Sequence, residues 1–190
     1  STGKVIDMEL VPAVQVRNTI ESLIKSGAIE GELAEAWTKK LEREKEVNEI
    51  RAKAEGGDGY SMWRLGVRYR QGVLGLRENA EQARAWYERS AAVRDPRGMA
   101  AFGHYLLEGL GRPQDNVFGM MNVTEAAGLG SELGAYLLGW AFFHGKYGLP
   151  KDLVRARYWF KKLADGECKI KHLTDSAKAK AAEWLRELGG

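Results

Sequence analysis

The sequence predicts an all-α protein whose central part is a solenoid of helix-turn-helix units. Glycine accounts for 23 of the 190 residues, and Leu-Gly or Phe-Gly pairs end at Gly66, Gly103 and Gly139, which lie 37 and 36 residues apart. A second motif, rich in alanine and aromatic residues, begins at Ala83 and again at Ala156, 73 residues later. Gly66 and Gly139 are separated by the same number of residues. Similarity at a fixed period of about 20–50 residues is typical of solenoids.

Each unit is predicted to contain two helices joined by a glycine-rich loop. The first helix carries the Leu-Gly pair and ends six residues later at another glycine, which tolerates the left-handed conformation found at many helix ends. The second helix is predicted to begin at an Asn or Asp that accepts amide hydrogens of its first turn. The terminating glycines are Gly72, Gly109 and Gly145, and the capping residues are Asn79, Asp115 and Asp152.

The residues on either side of the repeats are predicted to form helical caps. One helix is expected over 16–25, a longer one over 31–55, and a last one that ends at Gly189. The longer helix carries an apolar stripe of Leu33, Trp37, Leu41, Val47, Ile50 and Ala54. The predicted organisation is an extended N-terminal tail (1–12), an N-terminal helical cap (13–58), three repeat units (59–97, 98–133 and 134–168) and a C-terminal capping helix (169–190).

The repeated pattern resembles the Sel1-like repeat (SLR) family, a relative of the tetratricopeptide α-solenoids. The resemblance rests on the Leu-Gly-x-x-Tyr-x-x-Gly block at 65–72, the glycine-rich loop, the Asp cap, and an Ala-x-x-Trp-Tyr block followed by paired alanines. Residues 61–97 match best and residues 134–166 nearly as well. The middle unit is degenerate, with Met121 at the Trp position and a loop two residues shorter. The resemblance implies a right-handed solenoid of about three units that acts as an adaptor or scaffold without catalysis.

The tetratricopeptide register, if it holds, also predicts where a partner binds. The first helix of each unit then lines a concave face. Its groove positions are counted from the glycine of the Leu-Gly pair: two lie six and three residues before it, and three lie one, four and five residues after it. Aromatic residues beside arginine are typical of binding hot spots. The predicted partner-binding residues are Tyr60, Trp63, Val67, Arg70, Gln71, Arg97, His104, Leu107, Tyr136, Trp140, Phe143 and His144.

An alternative applies to the third unit. The C-terminal helix carries Trp184 and Leu188, which need an apolar surface, and that surface is either the aromatic groove of the third unit or another part of the chain. For Tyr136, Trp140 and Phe143 the sequence therefore leaves both a partner and this helix open. Trp63 and Arg70 are expected to lie farther from the helix and to contact a partner.

Several functional classes find little support in the sequence. One cysteine excludes an intramolecular disulfide framework and a four-cysteine zinc site. Cys168 and His172 are four residues apart, but two ligands do not make a metal site, and the glycines at 128–134 have the wrong spacing for a nucleotide loop. No nucleophile is accompanied by a base and an orienting group. We therefore expect no catalytic, cofactor or metal residues, no small-molecule substrate and no transmembrane segment.

The charge distribution bears on the partner. Residues 1–58 carry 9 basic and 12 acidic side chains, and residues 59–190 carry 20 and 14. The basic excess in the repeats is interpreted first as a solvated face beside an acidic N-terminal layer, and second as a surface for an acidic partner. The net charge of +3 does not favour nucleic acid, and a helical-repeat RNA binder is a minor alternative.

These observations predict a non-catalytic protein–protein interaction scaffold. The first hypothesis is a stable accessory subunit of a larger multi-subunit assembly, and the alternative is a free adaptor that binds transient protein partners. Secreted bacterial SLR proteins carry paired cysteines in their repeats, whereas these repeats do not, so the resemblance favours an intracellular protein. The cytoplasm or an organelle such as the mitochondrion would fit, and a chain that starts at Ser1 is compatible with a processed N-terminus.

Overall fold

A computed structural model describes residues 13–189, so the predicted extended tail at 1–12 lies outside the described residues. This part of the chain is all-α, as predicted, and its β pairing is limited to a bridge between Ser131 and Ile170. The helices are α1 (Ala13–Lys25), α2 (Glu32–Glu55), α3 (Gly59–Gln71), α4 (Ala80–Ala92), α5 (Pro96–Glu108), α6 (Asn116–Gly128), α7 (Glu132–His144), α8 (Leu153–Ala164) and α9 (Asp175–Glu187).

The chain forms two compact units, Ser1–Glu44 and Lys45–Gly190. The described part of the first unit contains α1 and the beginning of α2, where Arg17 lies 3.1 Å from a carboxylate oxygen of Glu21 and 3.2 Å from one of Glu44. These side chains are partly exposed, and such pairs contribute about 0–1 kcal/mol. Leu33, at one end of the predicted stripe, is 78% exposed.

In the second unit, six helices form three consecutive pairs. Helix α3 packs against α4, α5 against α6, and α7 against α8, while α4 contacts α5 and α6 contacts α7. The first helices of neighbouring pairs, α3, α5 and α7, also contact one another, and they do so more closely than the second helices. The row of first helices is therefore the inner face of a solenoid, which we call the groove face.

The predicted helix ends are confirmed. The side chains of Asn79, Asp115 and Asp152 accept hydrogen bonds from backbone amides three residues further along, at 2.8–2.9 Å. Each first helix ends at a glycine with positive φ, as the sequence predicts: Gly72 at 62°, Gly109 at 66° and Gly145 at 64°. The local signals in the loops thus set the length of both helices in every unit.

Close packing explains the glycine of the Leu-Gly pair. A Cβ atom at Gly66 would lie 2.5 Å from the ring of Tyr87, and one at Gly139 would lie 2.4 Å from the ring of Phe160. Tyr87 is 2% and Phe160 1% exposed. The same glycine–aromatic contact therefore holds together the first and the third pair.

The middle unit departs from the expectation by one residue. Its loop, 109–115, is one residue shorter than those at 72–79 and 145–152, rather than two. Counted from the N-cap, the Trp position is consequently held by Asn122, which is 9% exposed, and not by Met121, which is 60% exposed. The side-chain amide of Asn122 donates to a backbone carbonyl one turn earlier at 2.9 Å. That hydrogen bond satisfies a polar group where the first unit buries the ring of Trp86 and the third partly buries that of Trp159.

Candidate binding groove

The C-terminal segment returns across the start of α7 before it forms α9. The amide of Ile170 donates to the carbonyl oxygen of Gly130 at 3.1 Å, and the amide of Glu132 donates to the carbonyl oxygen of Ile170 at 3.2 Å. Helix α9 then packs against α8 and α7. The third unit's part of the groove face is therefore covered by the chain itself.

Trp184 is the centre of this cover. It is 8% exposed, and its ring centroid lies 5.4 Å from that of Phe160, 5.6 Å from Phe143 and 6.1 Å from Tyr136. His144 also contacts Trp184, at 5.7 Å. Of the two possibilities that the sequence left open, the C-terminal helix is the one that contacts Tyr136 and Phe143. Trp140 instead lies beside His144 and Tyr147.

The carboxylate of Glu132 binds the C-terminal segment that crosses the start of α7. Its side chain is 3% exposed and lies 3.2 Å from the ammonium group of Lys171 and 3.1 Å from that of Lys178. It also accepts hydrogen bonds from the backbone amides of His172 and Leu173, at 3.1 and 3.2 Å. Burial raises the pKa of Glu132, but the Leu173 amide, the two lysines and the His172 amide together outweigh burial, so its pKa lies below the ordinary value.

A histidine–serine pair lies beside this carboxylate. Nδ1 of His172 is 3.0 Å from the carbonyl oxygen of Ile170 and donates to it, which leaves Nε2, 3.3 Å from Oγ of Ser131, as an acceptor. Ser131 is fully buried and accepts from the Gly134 amide as the N-cap of α7. A substrate cannot reach the hydroxyl of Ser131, so we interpret the histidine–serine pair as structural. Burial lowers the pKa of His172.

The first unit's part of the groove face is open and rich in arginine. Tyr60, 45% exposed, stacks on Trp63 with 5.7 Å between ring centroids, and the guanidinium of Arg97 lies over Tyr60 at 4.9 Å. Arg64 and Arg68 pair with Glu46 at 3.2 and 3.0 Å. Tyr60 and Trp63 thus form an aromatic surface whose cationic neighbours are held in place.

A cavity of about 230 Å³ lies in the groove face between α3, α5, α7 and the residues around the start of α9. The predicted residues Trp63, Val67, Arg70, His104 and Tyr136 all line it. The predicted partner-binding residues did not include other parts of the wall, among them Tyr87 of α4, Tyr105 of α5, and His172, Leu173, Thr174 and Ala177 of the C-terminal segment. That segment has no repeat signature, so nothing in the sequence placed it here.

Trp63 lies closer to the C-terminal segment than we expected. Its ring centroid is 5.8 Å from that of His172, in an edge-on arrangement. The contact comes from the loop before α9 and not from the helix itself. Arg70, Gln71 and Tyr60 remain exposed, whereas Leu107 is 1% exposed and packs within the core. Leu107 therefore offers no side-chain surface to a partner.

No group of three or more His, Cys, Asp or Glu side chains among residues 14–189 is placed to hold a metal ion. Cys168 is a buried free thiol whose pKa is raised by burial and by the charge of Glu132. None of the helices that the structure describes combines the length and the apolar character needed to cross a membrane.

Paired helices, a repeated glycine–aromatic contact and an open groove face together define an α-solenoid repeat protein. The Sel1 repeat family model matches residues 59–93, 96–131 and 133–168. The chain therefore belongs to the Sel1 repeat family. Proteins built from this repeat generally mediate protein–protein interactions, and their scaffold is typically non-catalytic.

Two solved structures are similar to the chain. A Sel1 repeat protein from Oxalobacter formigenes is 32% identical, with a TM-score of 0.56, over 63% of this chain and 89% of that one. A protective antigen of uropathogenic Escherichia coli with an SLR fold is 21% identical, with a TM-score of 0.46, over 75% of this chain and 40% of that one. No curated protein sequence matches the chain.

Proposed function

We propose that this Sel1 repeat protein is a non-catalytic scaffold whose open groove at α3 and α5 binds a partner protein, as a stable accessory subunit of an intracellular assembly. The observation that carries the proposal is the surface formed by the exposed Tyr60 and Arg70 and the half-buried Trp63, which continues into the cavity. Aromatic and arginine side chains beside a pocket are the residues that dominate protein interfaces.

The surface is preorganised. Trp63 is held between the rings of Tyr60 and His172, and Arg97 is held over Tyr60 by an ion pair with Asp95 at 3.5 Å. A partner that binds here loses little additional side-chain entropy in the scaffold, since these residues already have one arrangement. This favours a durable complex.

The number of repeats also supports a subunit over a free adaptor. The family model finds three units, and about three are needed before a solenoid is stable by itself. A permanent partner adds to the free energy of unfolding because it binds only the folded chain. Since the only cysteine is a buried free thiol, we place the assembly inside the cell, where thiols stay reduced.

Protein is favoured over RNA as the partner. Single-stranded RNA needs a continuous basic track along the groove as well as stacking residues. Ion pairs within the described residues already engage Arg64, Arg68 and Arg97 with Glu46 and Asp95. Few positive charges are therefore left to follow a phosphate backbone.

The test is an affinity purification from the native source at moderate salt, with the co-purifying proteins quantified. We expect one set of partners at fixed one-to-one stoichiometry, and we expect Trp63→Ala with Arg70→Ala to lose them while helix content stays unchanged. Many substoichiometric partners that depend on the same residues would indicate an adaptor instead.

The matched control is Arg155→Ala with Tyr158→Ala. These side chains are 62% and 53% exposed on the second helix of the third unit, so this variant likewise removes one arginine and one aromatic ring, but outside the groove face. Equal partner recovery from the groove variant and from wild type would contradict the proposed interface. If the groove variant recovers the partners like wild type and the control variant loses them, the interface lies on α8.

A further inference from the structure

We propose that the cavity in the groove face recognises an acidic protein segment, with a carboxylate of the partner at Arg70 and an apolar side chain of the same segment against Trp63. This inference rests on the proposed function and specifies the chemistry of the partner. The two ends of the cavity differ in polarity, and the partner is expected to match both.

The Arg70 end is the polar one. Ion pairs within the described residues engage the neighbouring arginines Arg64, Arg68 and Arg97, but not Arg70. Arg70 is exposed and lines the cavity together with Tyr87, Tyr105 and His104. A planar guanidinium presents a fork of donors that matches a carboxylate.

The charge of Arg70 affects the pKa values of the other polar residues at this end of the cavity. Burial raises the pKa of Tyr87 and of Tyr105, and the Arg70 charge opposes both shifts. Burial also lowers the pKa of His104, which Glu108 raises and Arg70 lowers further. These two phenols and the imidazole line the cavity together with Arg70. Because Tyr87 and Tyr105 are 2% and 3% exposed, the guanidinium of Arg70 is the donor at this end that a partner carboxylate is expected to reach.

The Trp63 end is apolar. Trp63 and Val67 supply its α3 side, and Leu133 and Leu173 lie on the opposite side. Trp63 and Arg70 are seven positions apart on one helix, which corresponds to about 10 Å along the axis. An extended peptide advances about 3.3 Å per residue, so the acidic and apolar residues of the partner should lie about three positions apart.

The size of the cavity favours side chains over a cofactor. Sites that enclose a small molecule usually measure about 300–1,000 Å³, and this cavity measures about 230 Å³. It opens on the same helix face as Tyr60 and Arg64, which line a second depression beside Trp63. A peptide therefore has a continuous surface on which to extend beyond the cavity.

Two carboxylates limit what can bind. Glu78 acts on the pKa of Tyr105, and Glu108 acts on that of His104. Glu108 also accepts a hydrogen bond from the hydroxyl of Tyr147. One partner carboxylate balances Arg70, whereas a run of acidic residues would meet these two side chains. The motif should thus contain one acidic residue and not a polyacidic stretch.

The test is a selection of displayed random peptides of about a dozen residues on the full chain. We expect wild type to enrich peptides with one Asp or Glu about three positions from a Phe, Leu or Trp. Replacing the acidic residue by its amide in a synthetic winner should weaken binding about tenfold, the usual scale for a charge-assisted hydrogen bond. Arg70→Ala should abolish this preference for the carboxylate, and Arg155→Ala should retain it.

The outcomes separate this inference from the proposed function. Winners without a carboxylate that still require Trp63, or acidic winners that bind Arg70→Ala equally well, would overturn the acidic motif and leave the groove as a protein site. Winners that depend on neither Trp63 nor Arg70 would overturn both. Displacement of the peptides by an oligouridylate RNA at equal concentration, with loss of RNA binding in Trp63→Ala, would assign the groove to RNA.

Discussion

The first and the third unit present aromatic residues at equivalent groove positions, but only those of the third pack against the chain's own last helix. Trp63 in the first unit and Tyr136 in the third occupy equivalent positions, since each stands three residues before the glycine of its Leu-Gly pair. Tyr136 packs beneath Trp184 of the chain's own last helix, whereas Trp63 borders an exposed tyrosine and an open cavity. The same repeat position thus packs against the chain's own last helix in one unit and lies in the proposed binding surface in the other.

The difference arises from what surrounds the aromatic residue. The third unit combines Tyr136 with Phe143 and Phe160, which gives the C-terminal helix an apolar surface for Trp184. The first unit combines Trp63 with arginines, which remain hydrated and do not attract an apolar helix. Composition at the groove positions therefore explains why the C-terminal helix packs on the third unit and not on the first.

The largest effect is expected for Trp184→Ala. Replacing this buried ring should lower the free energy of unfolding by about 3–5 kcal/mol, the cost of a large-to-small change in a core. The measurement is equilibrium denaturation in urea, with helix content as the signal. A midpoint equal to that of wild type would contradict the assignment of Trp184 as the cover of the third unit.

A smaller effect is expected for Glu132→Ala. Its two lysine partners are partly exposed and can be solvated, so the main loss is the pair of backbone amides that the carboxylate satisfies. We expect a loss of about 1–3 kcal/mol for amides left unpaired in a buried site. Hydrogen exchange should accelerate at 170–178, whereas exchange in α3 should stay unchanged. Uniform acceleration in both regions would mean that the segment is not held locally.

The same carboxylate predicts a dependence on pH. The pKa of Glu132 is lowered from its ordinary value of 4.5 in the folded chain, so the unfolded chain binds a proton first as pH falls. The stabilisation by Glu132 is therefore complete above about pH 5 and is lost as pH falls through the folded pKa. The difference in unfolding free energy between wild type and Glu132→Gln should shrink below pH 4.5. A constant difference from pH 7 to pH 3 would contradict this.

The smallest effect on stability is expected at the open groove. Arg70 is exposed and Trp63 is half-buried, so Trp63→Ala with Arg70→Ala should cost about 1–2 kcal/mol, mainly through the lost ring contacts. Partner binding should fall by at least tenfold in the same variant. If this double variant lost as much unfolding free energy as Trp184→Ala, Trp63 would be a core residue and not an interface residue.

The repeats could be predicted from the sequence because their signals are local. Glycine at a left-handed helix end and Asn or Asp at an N-cap act within a few residues, and each predicted cap is found. The Trp position of the middle unit was predicted at Met121, one residue before Asn122, because this degenerate unit lacks the Trp that fixes the register.

The path of the C-terminal segment could not be predicted in the same way. The contacts of Glu132 with Lys171 and Lys178, and that of Trp63 with His172, join residues far apart in the sequence. Glu132 stands in the first turn of a helix, where an acidic residue is ordinary, so nothing marked it as buried. The groove was consequently predicted with residues of α3, α5 and α7 in place, but without the wall that the C-terminal segment adds.

The most direct test of the account is a hydrogen-exchange comparison of the chain alone with the chain in complex with its purified partner. We predict slower exchange in α3 and α5, no acceleration in α9, and no change in the outer helix α8. Slower exchange in α7 with faster exchange in α9 would contradict it, since the partner would then displace the C-terminal helix and occupy the third unit.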